Sequence, residues 1–206
     1  MTREDFIRNH WNYYLSLENR VLHTSSYVAI DPDNDKTFSN EYAILMQAIG
    51  GEFDSFFKEY CGFNSDDKKT IAEYANYVLN DYPDIKTQSI TVLGTEMNLI
   101  PFKEWDVSQA KQFLFWWIAY DDIKHSRYVN KKLACQKNVL NLLGALFLME
   151  MKYLRKITNG QNQPDVPYKS SELFSLAGWT FHYVLLNGGL AVIDGNSDAD
   201  FGDTGE

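Results

Sequence analysis

The chain has 206 residues, 45% of them hydrophobic and 15% aromatic, which suits one domain with a buried core and an appendage. A formal net charge of −9 argues against a protein that coats nucleic acid or an anionic membrane with its whole surface. The two cysteines, Cys61 and Cys135, show no metal-like spacing and give no disulfide framework, as expected in a reducing cytosol. The start MTREDFIRNH lacks an apolar leader run, and the longest apolar runs are too short to span a bilayer. A cytoplasmic protein without membrane contact is therefore expected.

Phe6, His10, Tyr13, Leu17, Val21 and Thr24 recur at three- and four-residue steps and predict a long helix over 3–28. Pro32, in a cluster of Asp and Asn, breaks it. A second helix is predicted over 39–60, capped by Ser39, with the stripe Tyr42, Leu45, Ile49, Phe53, Phe56 and Tyr60. A third is predicted over 66–80, with Ser65 as cap and Ile71, Tyr74, Tyr77 and Val78 on one side. SITVL and MNLI flank Gly94 and Thr95 and predict a β-hairpin near 88–101. A fourth helix starts at Ser108 and includes FLFWWIAYDDIKHSR, and a fifth covers 135–157. The fifth is apolar nearly all round between Val139 and Met149, the mark of a central helix. The fold class is mainly α. A bundle of about five helices with a small β-hairpin insertion fills 1–158, and 159–206 is a linker, a packing arm and an acidic, disordered tail.

Charge is unevenly placed. From Ile123 to Met149 there is no Asp or Glu, while Lys124, Arg127, Lys131, Lys132 and Lys137 give a local +5. On the fourth helix the apolar stripe Val107, Ala110, Leu114, Trp117 and Ile118 continues in spacing to Asp121 and His125. Asp121 one turn from His125 can accept from the imidazole and fix its tautomer. With Lys124 and Arg127 beside them, the four make a candidate phosphodiester site: His125 exchanges a proton, and the cations hold anionic oxygens. The plainer alternative is a helix C-terminus whose cations complement the helix dipole. Carboxylates inside helices suggest a different chemistry, a metal-dependent bundle enzyme using Glu18, Glu52 and His125. Paired Glu-x-x-His motifs are absent, so no metal or cofactor is expected.

The segment WWIAYDDIKHSRYVNKKLACQKNVLNLLGALFLMEMKYL resembles a bacterial pattern, Trp-x-x-Tyr-Asn/Asp-x-x-Lys-His-x-Arg followed by Ala-x-x-x-Asn-Val-Leu-Asn-Ala-Leu. More remotely it is similar to the HEPN superfamily of nucleotide-binding helical bundles. That resemblance implies an all-α, HEPN-like, homodimeric protein of a defence or toxin–antitoxin system. RNA or a nucleotide, and an antitoxin, are the implied partners, and metal-independent RNA cleavage is the implied activity. The family motif is Arg, commonly Asn, then His. With His125 at the histidine, Asp121 takes the Asn place and Tyr120 stands where the arginine belongs, leaving Arg127 or Lys124 as the nearest substitutes for its charge.

Overall fold

In a computed structural model the described residues are 1–159 and 167–177, together with the backbone of two strands, 181–186 and 189–194. The first helix, α1, runs through Arg3–Phe6, a π-helical turn Ile7–Trp11, and Asn12–Thr24. The π turn brings two adjacent residues, His10 and Trp11, into the interior. Helix α2, Asn40–Cys61, starts where Ser39 Oγ accepts from Tyr42 N and ends at Gly62, whose φ of 71° satisfies the last carbonyls. Helix α3, Ile71–Asp81, begins five residues later than a cap at Ser65 predicts. Thr70 and Glu73 form a reciprocal capping box, while Asn64 and Asp67 close a turn that keeps residues 64–69 out of the helix.

The hairpin forms as expected, with β1, Ile90–Val92, antiparallel to β2, Asn98–Leu99. A third strand, β3, Phe174–Leu176, pairs with the free edge of β1, so part of the C-terminal arm folds back on the bundle. Strands β4, Phe181–Leu186, and β5, Gly189–Asp194, pair with each other. The linker at 160–166 and the acidic tail after Asp194 lie outside the described residues.

Helix α4 spans Phe115–Asn130, not from Ser108. Upstream, Asp106 caps a short 3-10 turn at Val107–Gln109, and the Trp105 indole N–H donates to Ala110 O at 3.0 Å. That carbonyl, which an α-helix would direct at Leu114 N, is thereby taken. The later start also changes the helix's phase. Trp116, Ala119, Tyr120 and Ile123 face the core, and Trp116 donates to Pro101 O at 2.8 Å. Helix α5, Gln136–Thr158, is buried along nearly its whole length and packs against α1, α2 and α4. The mainly helical class with a small sheet is thus the observed one. No helix among the described residues is long and apolar enough to cross a membrane.

Candidate functional site

The rotation of α4 moves the predicted site. Asp121 does not turn toward the core; it is half-buried at the surface, and His125 is exposed over 74% of its side chain. The pair itself forms, with His125 Nε2 at 3.3 Å from Asp121 Oδ1. Asp121 Oδ2 meets Lys111 Nζ at 2.5 Å. The hydrogen bond from Lys111, opposed by partial burial and aided by the charges of His125 and Lys124, holds the Asp121 carboxyl below its ordinary range. Lys124 is exposed and lies over the ring of its neighbour Tyr120, 5.5 Å from the centroid.

Arg127 is separated from this group by a break. Ser126 has φ −150° and ψ 67°, outside the helical region, and Asn130 Nδ2 donates across the break to Asp122 O at 3.0 Å. The segment beyond it carries Arg127, Lys131 and Lys132 together with Tyr128, 88% exposed, and Val129, 74% exposed. Among the described residues none of these three cations has an ion-pair partner.

Asp121 and Lys124 form one wall of a groove of about 450 Å³. The other walls are Asp54 and Lys58 of α2, the loop from Asp66 to Thr70, and Lys111. Trp117 and Tyr120 supply its aromatic lining. Several cations are paired inside it: Lys58 with Asp54 at 3.0 Å, Lys69 with Glu73 at 3.2 Å, and Lys111 with Asp121. Lys68 and Lys124 have no carboxylate partner among the described residues. Lys58, Lys68, Lys69, Lys111 and Trp117 were not among the candidates read from the sequence. The run Asp66-Asp67-Lys68-Lys69 in a loop was the one available signal for them.

The positions of the metal reading do not converge. Glu18 is buried and accepts from Tyr14 Oη at 2.6 Å, from Ser171 Oγ, and from Glu172 N at 2.9 Å. Glu52 is paired with His10 Nδ1 at 2.9 Å, and His125 stands at the exposed end of α4. Among the described residues no three His, Cys, Asp or Glu side chains form a metal-ligand group. Burial pushes the Cys61 thiol up to about 12, which removes it as a nucleophile at neutral pH. No family model, no curated protein and no solved structure matches the chain.

Proposed function

We propose that the chain is an HEPN-like RNA-binding module, and that it holds single-stranded RNA along the outer face of α4. Nucleic acid without regular pairing is bound by cations that meet phosphates and by aromatic faces that take bases. On α4 and the 3-10 turn that follows it, Lys131–Leu133, these alternate: Trp117 at the groove, then Lys124 and His125, then Arg127 and Tyr128, then Lys131 and Lys132. The observation that carries the reading is the exposure of Tyr128 among cations that no carboxylate neutralises. A solvated helix end has no use for an aromatic ring and a valine left in water. The acidic remainder of the surface repels RNA elsewhere and confines it to this face.

The test is a titration of fluorescently labelled single-stranded RNA with the protein and with a Lys124→Ala/Arg127→Ala/Lys131→Ala/Lys132→Ala variant. Saturable binding by the first and loss in the second supports the reading. Equal binding by both, or no binding by either, refutes it.

Cleavage is a second reading, favoured by the Asp121–His125 contact. An imidazole oriented by a carboxylate is a general base for attack of a 2′-hydroxyl on its neighbouring phosphate. A homodimer would bring a second His125 as the acid. Tyr120, in the place of the motif arginine, supplies no guanidinium to the phosphate.

A further inference from the structure

The groove beside α4 differs in charge from the face it adjoins. From Ile123 to Met149 there is no Asp or Glu, so successive phosphates along the outer face meet no carboxylate of that stretch. The groove instead mixes five lysines with four aspartates. Each aspartate already has a donor. Asp54 pairs with Lys58 at 3.0 Å and accepts from Tyr74 Oη at 2.7 Å, and Asp121 takes Lys111 and His125. Asp67 accepts from Asn64 N at 3.1 Å, and Asp66 accepts from Ser65 Oγ at 3.4 Å.

What is left over is positive. Lys58 and Lys111 are held by these aspartates, and Lys69 is held by Glu73 at 3.2 Å over the ring of Phe63. Lys68, from the loop between Asp66 and Thr70, and Lys124, from α4, line the same groove, and neither has a carboxylate partner among the described residues. Thr70 and Ile71 add the positive end of the α3 dipole to that lining. Trp117, half-buried against Phe53 and Tyr120, supplies an aromatic ring. A volume of about 450 Å³ has room for one nucleotide.

We propose that the groove receives the end of the bound strand: a terminal phosphate monoester is held by Lys68 and Lys124, and the terminal base lies on Trp117. A phosphate monoester carries a charge of about −1.5 to −2 at neutral pH, more than the single charge of a diester within the chain. Two unpaired ammonium groups from different elements therefore match a terminal phosphate better than an internal one. The aspartates act the other way on any further phosphate. Their like charge opposes a strand that runs on through the groove, so the strand stops there. This end pocket rests on the reading that the α4 face binds RNA, and it adds a preferred end and hence a direction for the strand.

The test is a fluorescence-anisotropy titration of one internally labelled single-stranded RNA, made with a 5′-phosphate, with a 3′-phosphate, or with hydroxyls at both ends. Hydroxyl-ended RNA reads the α4 face alone. One of the two phosphorylated forms should bind the wild type about tenfold tighter or more, the size of one charge-assisted hydrogen bond. Lys68→Ala should lose that gain while binding hydroxyl-ended RNA as the wild type does, and Lys68→Arg should keep it. Lys68 is exposed, so its replacement should not unfold the chain. Equal binding of all three RNAs by the wild type, or an equal gain from either phosphate, overturns the end pocket and leaves RNA binding standing. So does a gain that survives in Lys68→Ala. Failure of all three RNAs to bind overturns both.

Discussion

The ring of Tyr120 lies against the backbone of Gly50, where a Cβ would collide with three of its ring carbons. This contact sets how closely α4 approaches α2. Tyr120 is itself a core residue, 5% exposed. Gly50→Ala should cost about 1–3 kcal/mol by chemical denaturation, because the interface has no room to relax. Adding Tyr120→Leu should recover part of that loss. Additive losses would show that the two residues are not in contact.

Glu18 ties α1 to the segment that carries β3, beside the pairing of β3 with β1 and the Trp11 indole bond to Lys169 O. Glu18→Ala leaves the Tyr14 hydroxyl, the Ser171 hydroxyl and the Glu172 amide without their acceptor. Leaving buried donors unsatisfied costs about 1–3 kcal/mol each, with strong non-additivity, so a loss of about 3 kcal/mol is expected. Ser171→Ala should cost less, since Glu18 keeps two donors. Thermal denaturation of both variants measures the order.

Asp121 stabilises the α4 surface through Lys111, and its carboxyl is held low. Its contribution is therefore present above the unfolded value of about 3.9 and lost as pH falls through the lower folded value. Since the pair is partly exposed, Asp121→Asn should cost below about 1 kcal/mol at pH 7 and less at pH 2. Urea denaturation at the two pH values separates these outcomes.

Much of the fold is legible in the sequence where local chemistry decides it. Ser39 and the stripe from Tyr42 to Tyr60 place α2 within a residue, and the apolar run from Val139 to Met149 identifies the central helix. The hairpin follows from two β-prone runs about Gly94, whose φ of 75° suits the turn. What escapes is decided by partners far along the chain. β3 pairs with β1 across more than 80 residues, and Glu18 reaches Ser171 across 153. The phase of α4 depends on the Trp105 indole taking a carbonyl, which no periodicity reports. The site suffers accordingly: its residues Asp121, Lys124, His125 and Arg127 are visible as a cluster, but their exposure and the break at Ser126 are not. The groove needs α2, α3 and α4 together, so Lys58, Lys68 and Lys111 could not be joined to it from spacing.

Cleavage is decided by the imidazole. Purified protein incubated with mixed RNA, with and without chelator, should give the same products in both cases if the Asp121–His125 pair acts. His125→Ala should then abolish them, and Asp121→Asn should reduce them by about 10²- to 10⁴-fold, the range of general acid–base contributions. Cleavage that survives His125→Ala would place the chemistry elsewhere.

Electrostatics gives RNA binding its own signature. If Lys124, Arg127, Lys131 and Lys132 each meet a phosphate, the logarithm of the affinity should fall with the logarithm of salt at a slope near −3, about −0.7 per contact on a single strand. Removing one of them should lower the slope magnitude by about 0.7. Tyr128→Ala should instead weaken binding by about 1–3 kcal/mol without changing the slope.

The most direct measurement is ultraviolet cross-linking of 4-thiouridine-labelled single-stranded RNA to the protein, with the joined peptides read by mass spectrometry. RNA held on the outer face of α4 should cross-link within 117–132, with Tyr128 prominent. Cross-links confined to other helices, or none at concentrations where the titration shows binding, would contradict the account.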